Sequence, residues 1–140
     1  MKLITVGKLK DKHLEAIEAE YFKRIKNPKL QIIELKANAE NKDSEAQTIL
    51  KKIEPKDFVI TLTEFGEEFE SVGFSRWLEG IQNPVFVICG AEGPGGALLE
   101  RSNFKLSLSK LTYPHKLARI IFIEQIYRAQ TIQTNHPYHN

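Results

Sequence analysis

Four glycines fall within eight residues in the turn Cys89-Gly90-Ala91-Glu92-Gly93-Pro94-Gly95-Gly96, directly after the apolar run Val85-Phe86-Val87-Ile88. Glycines let backbone N–H groups come close to a ligand, and open α/β sheets bind ligands outside the carboxyl ends of their strands. The turn matches neither G-x-G-x-x-G nor G-x-x-x-x-G-K-[ST], so the pattern alone supports no dinucleotide or triphosphate. From Gly90 to Gly96 it holds no Lys, Arg, Ser or Thr, which weighs against a flavodoxin-like phosphate site. A plain flexible turn is the competing reading.

A second set of residues is placed by the same logic. Leu62, Cys89 and Leu108 are the predicted ends of three strands, and in a parallel sheet they share one edge. The pocket they would line is apolar and main-chain in character, suited to an adenine ring held by backbone hydrogen bonds. Cys89 has no partner base nearby in the sequence and reads as a small buried side chain. A lone cysteine excludes an internal disulfide and a thiolate metal cage.

The third set is C-terminal. Glu124 and Arg128 are spaced i,i+4 on a predicted helix and are expected to pair, with Arg119 near the same face. The tail His136-Pro137-Tyr138-His139 concentrates side chains that stack on bases, contact phosphate or move protons, against the alternative of a frayed, solvated end. No H-E-x-x-H, His/Cys cluster or Ser-His-Asp pattern appears, so neither a metal nor an acyl-enzyme is expected.

Short β-branched runs alternate with helix-patterned segments throughout, which predicts an α/β chain with a parallel sheet over residues 1–140. Strands are expected at Lys2 to Val6, Leu30 to Leu35, Phe58 to Leu62, Val85 to Ile88 and Phe104 to Leu108. Helices are expected at Asp11 to Lys26, Asp43 to Ile53, Ser71 to Glu79, Ala97 to Arg101 and Pro114 to Thr134, with a loop at Asn38 to Lys42. The last helix carries apolar residues on more than one side, including Leu117, Ile120, Ile121, Ile126 and Ile132. A second copy of the chain is the simplest cover for that excess.

With 41% hydrophobic and 27% charged residues, the chain has the composition of a folded domain and lacks the signature of disorder. No apolar run approaches the roughly 20 residues of a membrane span, and the N-terminus shows no cleavage-site pattern, so a cytoplasmic protein is expected. Net charge is +2, but residues 1–57 carry +3, residues 58–103 carry −5 and residues 104–140 carry +4. This distribution suggests that the C-terminal segment meets an anionic partner.

The runs Phe86 to Gly93, Leu106 to His115, Ile123 to Ala129 and His136 to His139, with the Met1 to Gly7 strand, resemble the RlmH family in order and spacing. These are SPOUT-class methyltransferases of large-subunit ribosomal RNA. The resemblance implies S-adenosylmethionine as methyl donor, N3 of a pseudouridine in 23S ribosomal RNA as acceptor, and the assembled ribosome as partner. It further implies a homodimer and a C-terminal trefoil knot, although unknotted chains are the general rule. By position, Leu62, Cys89, Gly90 and the stretch Leu108, Ser109, Lys110, Leu111, Thr112 and Tyr113 would hold the donor. Arg128 would stabilise substrate charge, and His139 with Tyr138 would position the base or remove its proton, with His115 in reserve. The family has Gly-Gly where this chain has Cys89-Gly90, so the cysteine is expected to narrow the pocket. That departure is the motive for the competing reading, a ribosome-binding module without catalysis.

Overall fold

Every residue from Pro84 to Ile88 is buried. A strand with no polar face has to be covered on both sides, and the structure, a computed structural model describing residues 1–37 and 41–140, does so with helices on each face. In chain order the elements are β1 (Lys2–Val6), α1 (Lys12–Phe22), β2 (Gln31–Leu35), α2 (Lys42–Leu50) and β3 (Phe58–Glu67). They continue as α3 (Ser71–Glu79), β4 (Pro84–Ile88), α4 (Gly96–Arg101), β5 (Phe104–Leu106) and α5 (His115–Gln133). The strands form one sheet of order β2-β1-β4-β3-β5, parallel at every pairing.

Alternation along each strand sorts the core. Leu3, Ile60, Phe86 and Ile88 face Ile25 and the α3 and α5 residues Phe74, Leu78, Phe122, Ile123 and Ile126. Ile4, Val59, Val85, Val87 and Cys89 face Ala46 and Ile49 of α2 and Leu98 of α4. Each such large apolar side chain contributes on the order of 1.5–3 kcal/mol by leaving water.

Several boundaries depart from expectation, among them that of α2, which ends at Leu50 and not at Ile53. α1 ends at Phe22, short of Lys26, because Ile25 turns into the core, where it is 4% exposed. β3 runs five residues past Leu62, since Ser107 N–H donates to Glu67 O at 2.8 Å and β5 is drawn against the extension. A Cβ on Gly66 would lie 2.5 Å from the Leu106 carbonyl carbon, so this approach requires glycine. β5 correspondingly stops at Leu106, leaving Ser107 and Leu108 to the loop. Residues 38–40 of the expected loop lie outside the described residues, and Asn41 and Lys42 instead cap and open α2.

Side-chain caps satisfy the first amides of α1 and α2. Asp11 accepts from His13 N at 2.9 Å and Leu14 N at 3.1 Å, and Asn41 accepts from Asp43 N and Ser44 N. Each such cap is worth about 1 kcal/mol. α1 itself buries no residue fully and lies against the outside of α5.

What fixes α1 and β2 to α5 is Arg119. It does not share the Glu124 and Arg128 face as expected. Its guanidinium is buried, donates to both Glu18 oxygens at 2.5 and 2.7 Å, and reaches Glu34 at 2.8 Å and Thr5 Oγ1 at 3.2 Å. Arg119→Ala would leave two carboxylates without their cation, and we expect a loss of about 3 kcal/mol in urea unfolding at unchanged m. Arg119→Met should cost less if either carboxylate can reach water.

Candidate active site

The carboxyl ends of β3, β4 and β5 and the start of α5 enclose a cavity of about 450 Å³, within the range of sites for small organic ligands. Leu62 enters from β3, Cys89 and Gly90 from the turn after β4, and Leu108, Ser109, Leu111, Thr112 and Tyr113 from the loop after β5. Eight of the nine expected donor residues therefore meet in one wall. Lys110 does not: it is exposed and lies outside that wall.

The loop after β5 is held by its own hydroxyls. Ser107 Oγ donates to Ser109 O at 2.8 Å, Leu111 N donates to Ser109 Oγ at 2.9 Å, and Ser109 Oγ lies 3.0 Å from the Tyr113 phenol. Thr112 Oγ1 donates to Glu64 at 2.5 Å, tying this loop to the extension of β3. The rim is apolar: Phe65 is 87% exposed and Leu111 70% exposed. His115, at the first residue of α5, also lines the cavity.

The glycine-rich turn is set from beneath by α2. A Cβ on Gly95 would fall 2.7 Å from Lys42 O and 3.0 Å from the Ala46 methyl group, so helix and turn meet at backbone distance. Glu45 is 7% exposed and accepts from Gly90 N at 2.9 Å. Sequence reading missed this residue, because 45 positions separate the partners and no short-range pattern marks the contact. Lys42, Glu64, Phe65 and Glu92 also line the cavity; Glu92 lies within the glycine-rich turn, and Glu64 and Phe65 lie on the extension of β3 that the sequence reading ended at Leu62.

Cys89 has no positive φ and packs with Ala46, Leu98 and Val87 in the cluster beneath α2 and α4. Burial, with a smaller contribution from the Glu45 charge, pushes its thiol up to about 12. The thiol is therefore a neutral core side chain, and no backbone strain at position 89 calls for glycine.

The C-terminal candidates come together, but elsewhere. Arg128 donates to Glu124 from Nε at 3.0 Å and Nη2 at 2.5 Å, confirming the expected pair, and its Nη1 lies 3.1 Å from His139 Nδ1. Its guanidinium stacks 4.8 Å over the Tyr138 ring, and Tyr138 donates to Glu124 at 2.9 Å. The tail is thus bonded in place. Thirteen residues of α5 separate His115 at the cavity from Arg128, about 20 Å at 1.5 Å per residue.

A parallel-sheet α/β protein with its small-molecule cavity at the carboxyl edge belongs to the broad class that binds cofactors between strand-end loops. Residues 1–139 match the family described as "Predicted SPOUT methyltransferase", and the chain belongs to that family. It is 42% identical to the ribosomal RNA large subunit methyltransferase H of Streptococcus pneumoniae, with 99% of this chain and 98% of that protein covered. The protein of the same name from Gloeobacter violaceus is 38% identical, with 100% and 98% covered. Among the described residues no helix is long and apolar enough to cross a membrane.

Two outcomes follow from the turn. Glu45→Ala should speed hydrogen exchange of the Gly90 amide about tenfold or more, and Glu45→Gln, which keeps an acceptor oxygen, should hold it near the native rate. At pH 8 Cys89 should resist alkylation until the chain unfolds. Because its folded pKa lies above the unfolded one, it favours the folded state below about pH 9, and that contribution is lost as pH rises towards 12. Cys89→Ala should flatten this part of the alkaline decline in unfolding free energy.

Proposed function

We propose that the protein is an S-adenosylmethionine-dependent methyltransferase acting on N3 of a pseudouridine in 23S ribosomal RNA, on the assembled ribosome in the cytoplasm. The observation that carries this reading is the cavity. It is walled by apolar side chains and strand-end backbone with Lys42, Glu64 and Glu92 among them, has the size for an adenosine-bearing ligand, and lies where the family resemblance would put the donor. Leu62, Cys89, Gly90 and the stretch Leu108 to Tyr113 would hold it, with Lys110 on the outer side of the loop. The donor supplies an electrophilic methyl group on a sulfonium, so the acceptor nitrogen has to be in line with it and deprotonated.

The chain's own contribution to that deprotonation is electrostatic. Hydrogen bonding to Glu124 raises the Arg128 pKa further, so the guanidinium remains cationic and suited to an imide anion. Tyr138 is held above its ordinary value by burial and by its Tyr21 and Glu124 contacts, so it stays a protonated donor and is a poor choice for removing a proton. His139 Nδ1 accepts from Arg128, which puts the proton of a neutral ring on Nε2. Arg128 and His139 then both present donors to the base, and the imide proton departs to solvent.

A homodimer supports this assignment. Within one protomer the Arg128 cluster and the cavity stand at opposite ends of α5, whereas a second copy crossing α5 would bring the cluster of one to the cavity of the other. Leu117, 44% exposed, and the recess of about 180 Å³ between Phe69, Leu108, Ile121 and Gln125 supply apolar surface for that contact. The trefoil threading belongs to the same reading. It is supported by the return of α5 to pack on α1 and α3 although the strand before it stands at the far edge of the sheet. The competing reading, a non-catalytic module, loses its motive, because Cys89 packs in the core without strain.

The direct test is transfer of labelled methyl from S-adenosylmethionine to ribosomes lacking the modification, with free ribosomal RNA alongside and the product nucleoside identified. Methyl on N3 of a pseudouridine is expected, and ribosome binding without transfer would sink the catalytic reading. Arg128→Ala should lower kcat about 100-fold or more at unchanged donor affinity and move the rising limb of the pH–rate profile to higher pH. Mixing this variant with one disabled in the cavity should restore part of the activity, since a mixed dimer would contain one intact site.

A further inference from the structure

The charge segments of the sequence change once the ion pairs of the fold are counted. Of the five basic residues after position 103, Arg119 is neutralised by Glu18 and Glu34 and Arg128 by Glu124. Arg119 is thus offset by carboxylates outside the C-terminal segment, and Lys105, Lys110 and Lys116 remain as its cations without an ion pair among the described residues. Among the described residues, exposed cations without an ion pair include Lys8, Lys10 and Lys12 behind β1, with the half-buried Lys116 of α5 beside them.

This loop is built to hold its lysines outward. Leu9 is 3% exposed and anchors the middle, and Asp11 is committed to capping α1, while Lys8, Lys10 and Lys12 are exposed. Lys10 sits at φ +48°, a conformation that costs a non-glycine residue on the order of 1 kcal/mol, and the pinned neighbours on both sides hold it there. Lys8 and Lys116 line a small recess that shares Ile88 and His115 with the main cavity, and it lies between the carboxyl ends of β1 and β4. The cavity wall itself is mixed in charge, with Glu64 and Glu92 against Lys42. The opposing charges near the loop are Asp11, whose carboxylate is engaged by two backbone N–H groups, and the exposed Glu15.

We propose that Lys8, Lys10, Lys12 and Lys116 form a contact surface for the phosphate backbone of the RNA strand that carries the target base to the cavity. The inference rests on the methyltransferase reading for the direction of approach, though not for the binding itself. A fixed row of solvated ammonium groups suits phosphates spaced along a strand, and it holds the strand without reading its sequence.

The test is the triple variant Lys8→Gln, Lys10→Asn, Lys12→Gln, which leaves Leu9 and Asp11 intact and places at position 10 a residue tolerant of positive φ. Lys116→Gln serves as a second variant on a different element. We expect KM for ribosomes to rise roughly tenfold for the triple variant near 0.15 M salt, with kcat and S-adenosylmethionine affinity unchanged. The slope of log affinity for free 23S RNA against log salt should shrink by about 2 to 3, and by about 1 for Lys116→Gln. Unchanged KM and slope in both variants would overturn the proposal. So would a loss confined to ribosomes with free-RNA binding intact, which would assign the surface to an acidic ribosomal protein. If the wild-type protein transfers no methyl but the RNA salt slopes still shrink, the contact surface stands and the methyltransferase reading fails.

Discussion

The burial of β4 on both faces is the constraint from which the rest follows. Its five residues offer no polar surface, so helices must lie on both sides of the sheet, and polar groups are driven to the strand ends. Parallel pairing then collects the carboxyl ends on a single edge, where loops are free of the ladder and can turn main-chain groups towards a ligand. The cavity lies where β3 bulges between Leu62 and Glu67, both in register with Leu106, and the close approach of Gly66 to Leu106 brings the extension back against β5.

α5 links two regions of different chemistry. Its first residue lines an apolar cavity, and its last turns carry Arg128 with Glu124, Tyr138 and His139. The first region uses shape and backbone, and the second uses charge. Holding them about 20 Å apart in one protomer keeps the Arg128 guanidinium away from the pocket where the reading places a positively charged sulfonium. Two copies meeting across α5 would bring the cation to the acceptor side of the site only once the pair has formed.

Much of the fold was legible in the sequence because it is written in local patterns. The β-branched runs at Lys2 to Val6 and Val85 to Ile88, the cap at Asp11 and the glycines after Cys89 each fix structure over a few residues. The grouping of Leu62, Cys89 and Leu108 followed from parallel topology. What escaped depends on partners distant in sequence. The Glu45 contact with Gly90 spans 45 residues, and Arg119 joins residues 85 and 101 positions away, so it was placed beside Arg128 from helical spacing alone. Charge counts by segment cannot see such pairs, because a cation's effect depends on which carboxylate the fold sets against it, as Glu18 and Glu34 are set against Arg119.

The Arg119 cluster also bears on which changes of length the chain can accept. Glu18 and Glu34 fix the helix at one point, so a residue inserted between Arg119 and Arg128 would leave the N-terminal half seated. It would turn the Arg128 end by 100° and advance it 1.5 Å. The stretch from Arg119 to Arg128 has no latitude in length, and its residue count is as much a part of the site as the identity of the arginine it carries.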